Sequence, residues 1–234
     1  MKVASLLTAA LTAAALSSAA SAVTILVDDF ETATTPDPLI AMIPGVTAVS
    51  GPTVVPPNGF ERTVSLTVNK NRSPGNSNEV RADVHSGLFD IGAESGVSYT
   101  TAISYSVGSF FADLPGTGAT GTLDIHVNFA DGNPRTFALE LNGVETDSDR
   151  FFDFIDGSAA FPEQTRRLAF NVADLTGADV FTLKITGSAG FDTTLTMLEI
   201  DIPQDPAQNI PAPGALALMG LGLLGVASAR RRKS

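Results

Sequence analysis

The chain has 234 residues, 44% of them hydrophobic and 17% charged, with no cysteine and a formal charge of −11. That length holds one domain of ordinary size plus processing segments, and the missing cysteine excludes disulfides, thiolate metal sites, cysteine nucleophiles and a lipoprotein-type lipidated N-terminus. Lys2, Arg230, Arg231, Arg232 and Lys233 lie in end segments without acids, so residues 23–210 set nine cations against 25 acids, a net −16. This excludes nucleic acid and anionic lipid as partners of the central part, because phosphate binding needs clustered cations. It suits solubility outside the cell or association with divalent cations.

At the N-terminus Lys2 is a charged n-region, Val3 to Leu16 an apolar run, and "SSAASA" a small-residue cleavage pattern carried by Ala20 and Ala22. Residues 1–22 are expected to be a signal peptide and the mature chain to begin at Val23. The run is short for a membrane span of ~20 residues, which disfavours an uncleaved anchor.

From Val23 to about Pro203 the pattern has period two, with Gly, Pro, Asn and Asp between the runs. "RTVSLTV" puts Val64, Leu66 and Val68 on one face; "TAISYSV" does the same with Thr101, Ile103, Tyr105 and Val107. "TLDIHVNF" directs Leu123, Ile125, Val127 and Phe129 inward, and Asp124, His126 and Asn128 outward. In "NFADGNPRTF" the turn Asp131-Gly132-Asn133-Pro134 joins two alternating strands and predicts a hairpin. "RTFALEL", "VFTLKIT" and "LEIDI" bury Phe137, Leu139, Leu141, then Phe181, Leu183, Ile185, then Leu198, Ile200, Ile202. Eight to ten strands of this kind, without an amphipathic helix, predict an all-β fold: an antiparallel β-sandwich with phenylalanine filling the space between its sheets.

"ILVDDFE" at the start of this region and "LTMLEIDIP" at its end resemble the first and last strands of galactose-binding-like jelly-roll domains, a fold many carbohydrate-binding modules share. The resemblance implies that the terminal strands lie side by side and that acids on them hold a structural Ca²⁺. Asp29 and Glu31 match the first strand, and Glu199 or Asp201 the last. Ca²⁺ takes six to eight oxygen ligands, which these acids supply in part; the alternative is that they are solvated surface acids. In "ETDSDRFFDFID", Glu145, Asp147, Asp149, Asp153 and Asp156 begin like an EF-hand loop, but the central Gly and the Glu at the twelfth place are missing. Phe151, Phe152 and Phe154 are expected to anchor this acidic stretch to the core.

Catalysis has no motif behind it. No GxSxG elbow or HExxH helix is present, and the two histidines, His85 and His126, have no context that favours them. Paired carboxylates for glycoside hydrolysis can be drawn from 25 acids by chance, so a non-enzymatic protein is expected. For sugar stacking there is no Trp, and of Tyr99 and Tyr105 the second alternates with core residues.

Residues 204–210 begin with the polar stretch "QDPAQN", a spacer. Then follow Pro211 and Pro213, an apolar run at 214–229 and the cluster Arg230, Arg231, Arg232. The run contains "GLGLLG", which has phosphate-loop spacing, but only nine residues follow Gly225 and none is acidic, so a nucleotide loop is excluded. Sixteen residues give ~24 Å of helix, slightly short of a ~30 Å hydrocarbon core. The basic end reads as a stop-transfer signal that stays cytoplasmic; a plain transmembrane tail anchor is the alternative to a processed one. Two prolines one residue apart, a short Gly/Leu/Ala span and a terminal Arg cluster resemble the PEP-CTERM sorting signal of Gram-negative bacteria, here at 211–234. Ala212 stands where that signal usually has Glu. The resemblance implies an exported protein recognised by exosortase, an integral-membrane enzyme. Its substrates pass through the inner membrane, and many are associated with exopolysaccharide and biofilm matrix. The expected protein is therefore a surface or extracellular-matrix component, with a Ca²⁺-stabilised carbohydrate-binding module as the alternative and an extracellular hydrolase as a third.

Overall fold

The computed structural model describes residues 22–70, 78–114 and 119–203, and its globular unit runs from Ala22 to Pro203. The signal segment up to Ser21, with Ala20, the spacer at 204–210, Pro211, Pro213, the span at 214–229 and Arg230 to Arg232 all lie outside the described residues. Ala22, the last residue of the expected signal peptide, already belongs to the first strand.

The strands in chain order are β1 (Ala22–Asp28), β2 (Leu39–Ala41), β3 (Thr47–Val49), β4 (Thr53–Val55), β5 (Phe60–Lys70), β6 (Val80–His85), β7 (Leu88–Ala93) and β8 (Ser98–Ser106). They continue with β9 (Thr120–Asp131), β10 (Arg135–Leu141), β11 (Val144–Phe151), β12 (Phe154–Ile155), β13 (Gln164–Asn171), β14 (Val180–Gly187) and β15 (Thr193–Pro203). One short helix, α1 (Val172–Thr176), is capped by Asn171, whose side chain accepts from the Ala173 N–H.

Among the described residues these strands make two antiparallel sheets. The first has the order β12-β9-β15-β7-β6-β2, with β1 also on β15 and β13 also on β9; the second has β11-β10-β14-β8-β5-β3, with β4 also on β5. Facing sheets explain the alternation: Val64, Leu66, Val68, Ile103, Phe137, Leu139, Phe181, Leu183, Ile185, Leu198, Ile200 and Ile202 all lie at 2% exposure or less, between the layers. The fold is the expected jelly-roll-type sandwich. Its first and last strands are neighbours, with Ala22 opposite Pro203 and Thr24 opposite Asp201. Several strands are only two or three residues long and escape a period-two reading, which accounts for a count above the eight to ten expected.

Two expectations fail in instructive ways. The turn at Asp131–Pro134 is not a hairpin, because β9 belongs to the first sheet and β10 to the second. Asp131 accepts from the Asn133 backbone N–H at 3.0 Å and Gly132 has φ +83°, so the turn chemistry is as expected. A tight turn reverses the chain without choosing its partner, and here the chain crosses between layers. Among the described residues, hairpins with two-residue turns form at β6–β7, turning at Ser86-Gly87, and at β10–β11, turning at Asn142-Gly143, where both central residues have positive φ; β4–β5 is a hairpin with a longer loop. Phe129 also fails to point inward. Val127 and Ala130 are both fully buried, so two residues, Asn128 and Phe129, occupy the space of one, and the register against β15 shifts there. This bulge turns Phe129 to the outer face.

Candidate functional site

The acids expected to share a Ca²⁺ are divided by the pairing of β1 with β15. Asp201 lies opposite Thr24 and Glu199 opposite Leu26, whereas Asp29 follows the end of β1. Five residues of strand separate the Asp201 level from Asp29, roughly 16 Å. Asp201 accepts from Thr24 Oγ1 at 2.5 Å, Glu199 Oε2 sits 3.3 Å from His126 Nε2, and Asp29 accepts from the Glu31 N–H at 3.2 Å. Among the described residues no three His, Asp or Glu side chains gather as a metal-binding group. Asp29→Ala and Asp201→Ala are accordingly expected to leave any effect of EDTA on the melting temperature of the mature protein unaltered; loss of such an effect in either variant would show that these acids gather on a cation.

The acid that turns inward is Asp28, after a register shift between Leu26 and Asp28. It is fully buried, takes a 2.7 Å hydrogen bond from Arg62 Nη1 and one from Tyr105 Oη at 2.7 Å, and accepts from the Phe30 N–H at 2.8 Å. Burial, then the Asp28 charge, hold the Tyr105 hydroxyl well above its usual pKa, so it remains a donor. Both tyrosines are fully buried and neither offers a face to a ligand.

The second acidic stretch lies largely in an extended edge strand, β11, and not in a loop. Asp147 Oδ2 accepts from the Ala169 N–H at 2.7 Å, and Arg166 bonds Asp153. Only Phe151 enters the core: Phe152 and Phe154 are 56% and 43% exposed. Phe151 is flanked by two guanidinium groups, Arg135 at 3.9 Å and Arg166 at 4.1 Å from its ring centre. Burial pulls the Arg135 pKa down to about 10, still high enough to keep the charge at neutral pH. His126 lies between Glu163 and Glu199 on the outer face, and His85 is 3.4 Å from Asp90.

The outer face of the first sheet carries the most organised surface. Backbone register sets Phe129, Thr194, Asp90 and Asp83 side by side on β9, β15, β7 and β6. Four strands at ~4.8 Å spacing make a row roughly 14 Å long. Two residues further along, a second outward row runs from Phe154 through Asp131, Asp192 and Gly92 to Arg81 and Ile40. The row between them, Ala130, Thr193, Ile91, Ala82 and Leu39, is buried at 3% exposure or less and belongs to the core. Gly92 leaves a gap in the second row; a Cβ there would stand 3.3 Å from Asp192 Oδ1. The result is a shallow recess of about 320 Å³ over Arg81, Asp83, Asp90, Gly92, Phe129 and Thr194, continued by one of about 360 Å³ over Glu79, Glu94 and Asp192.

Protein donors already hold these carboxylates. Arg81 pairs with Asp83, Thr194 Oγ1 donates to Asp90, and the Ala93 N–H donates to Asp192 Oδ1 at 2.9 Å. Asp37 and Asp83 share a hydrogen bond that raises the pKa of Asp37, after burial, and lowers that of Asp83. Asp192 is raised, first by desolvation and then by Asp131. A carboxyl whose folded pKa is raised adds stability fully below its unfolded value of ~3.9, and that contribution is lost as pH rises through the folded value. Asp192→Asn is therefore expected to raise the melting temperature at pH 7 relative to the parent, with the gain vanishing at pH 3; a gain equal at both pH values would contradict this sign. Phe129, Phe154 and Phe161 form a ridge along one side, with ring centres 6.4 Å and 5.1 Å apart in edge-to-face pairs. Sequence reasoning looked for sugar-stacking rings among tyrosines and missed this ridge.

Residues 209–233 match the PEP-CTERM protein-sorting motif, a match that includes Pro211, Pro213 and Arg230 to Arg232. The chain ends in a PEP-CTERM sorting motif. It marks the protein as exported and as a substrate for exosortase-type processing. No curated protein matches the chain. Solved structures similar to it include a Stig cyclase, Fisc, from Fischerella sp. TAU, at 12% identity over 79% of this chain and 100% of that one, TM-score 0.40. Others are TmCBM61 in complex with β-1,4-galactotriose (9%, 73% and 90%, TM-score 0.34) and a family 35 carbohydrate-binding module from Clostridium thermocellum (10%, 70% and 96%, TM-score 0.30). Five residues separate Pro203, the last of β15, from the sorting motif. The recess lies at the other end of that strand, around Thr194, nine residues or roughly 30 Å of strand from Pro203.

Proposed function

We propose that this is a non-enzymatic component of the cell surface or extracellular matrix that holds exopolysaccharide on the outer face of its first sheet. A cleaved signal peptide at 1–22 starts its export, and the sorting motif at the other end directs its processing at the inner membrane. The observation that carries the binding role is the pair of register-aligned outward rows, in which acceptor carboxylates and a hydroxyl lie beside a phenylalanine ridge. Sugar recognition needs both parts, an apolar surface for ring C–H groups and fixed polar atoms for hydroxyls.

The test is co-sedimentation of the purified mature protein with the matrix polysaccharide of the producing cells. Saturable binding is expected. The absence of binding, or release of reducing ends from the polymer, would count against a non-enzymatic binding role.

A further inference from the structure

We propose that the recess takes an uncharged, hydroxyl-rich polysaccharide, laid across β9, β15, β7 and β6 with one sugar ring against the phenylalanine ridge. This rests on the reading above and adds the class of ligand. Charge decides against polyanions. The recess and its continuation bring Asp83, Asp90, Asp192, Glu79 and Glu94 together with Arg81 as their one arginine, so a uronate or sulfated chain would be repelled. The same negative charge would attract a polycation, and the chitosan arm of the test separates that case. Only Asp83 has a cationic partner, Arg81; Asp90 and Asp192 accept from neutral donors, the Thr194 hydroxyl and the Ala93 N–H, and their remaining lone pairs accept O–H donors. The third element is the exposed ridge. Phe154 and Phe161 keep 43% and 47% of their surface in water, and the bulge at Asn128 brings Phe129 out beside Thr194. Apolar faces left open beside a row of acceptors match the two surfaces of a neutral sugar ring.

Native gel retardation of the mature protein tests this with three probes: a soluble neutral β-glucan or galactan, polygalacturonate, and chitosan as an amine-bearing chain. Retardation by a neutral polymer is expected. Phe129→Ala and Asp90→Asn should each weaken it roughly tenfold, about 1.4 kcal/mol. Phe110→Ala, an exposed ring elsewhere, should leave it unchanged. Phe154→Ala reads the same ridge from an exposed position if Phe129→Ala does not fold. Retardation by polygalacturonate or chitosan alone overturns the ligand class while leaving a polysaccharide-binding protein. No retardation by any probe, together with no binding to the cells' own matrix, overturns the underlying reading as well.

Discussion

Replacing Arg62 with alanine is expected to lower the unfolding free energy by about 3–5 kcal/mol, because it leaves Asp28 charged and buried without its partner. For a domain of this size that is a fall of roughly 6–20 °C in melting temperature, readable by circular dichroism. Arg62 and Asp28 are both fully buried, and Arg62 also donates to the Thr32 carbonyl, tying the segment after β1 to β5 in the opposite sheet. Such a pair contributes little compared with apolar side chains of the same volume, but removing one member exposes the full desolvation cost of the other. The same logic predicts that Arg62→Met combined with Asp28→Leu recovers part of the loss. A single Arg62→Ala change worth less than 1 kcal/mol would show that the pair is not desolvated.

Gly187→Ala is expected to destabilise by about 1–3 kcal/mol through overpacking. A Cβ at this position would stand 2.6 Å from Phe191 Cδ1 and 2.9 Å from two Tyr99 ring carbons, closer than real contacts allow. Neither ring can yield easily. Tyr99 and Phe191 stack at 6.0 Å, the Tyr99 hydroxyl donates to the Phe191 carbonyl, and Arg135 lies 5.1 Å from the Phe191 ring centre. Phe191 immediately precedes Asp192, so strain there reaches the recess. Gly143→Ala is a useful contrast, since nothing lies within 4 Å and the cost there comes from the positive φ of 78°. Denaturant unfolding of both variants separates the two causes.

Much of the core was legible because alternation is a local property: each residue two steps along a strand meets the same face. Val64, Ile103, Leu139 and Ile185 were placed in the core from pattern alone, and all are buried. What defeated the pattern was single-residue insertion. The bulge at Asn128 and the shift before Asp28 each reverse which side chain faces inward, and they turned Phe129 out and Asp28 in. Partner choice was equally hidden. Asp131–Pro134 signals a turn, but whether a turn closes a hairpin or crosses between layers depends on distant strands. The Asn142-Gly143 dipeptide was a usable hairpin signal that went unread. The recess was illegible for the same reason as the sheet order: its two rows draw on residues up to about 150 positions apart in sequence, Ile40 and Asp192. The sorting motif, by contrast, is contiguous, and its prolines and arginines carried it directly.

Export and sorting are the claims on which the surface role depends, and intact-mass measurement of the protein from envelope and medium fractions tests them most directly. The full chain is 24.2 kDa. Export and processing predict a mature form that begins near Val23 and lacks the arginine-rich end beyond Pro213. A full-length mass with both ends retained, found in the cytoplasm, would contradict it.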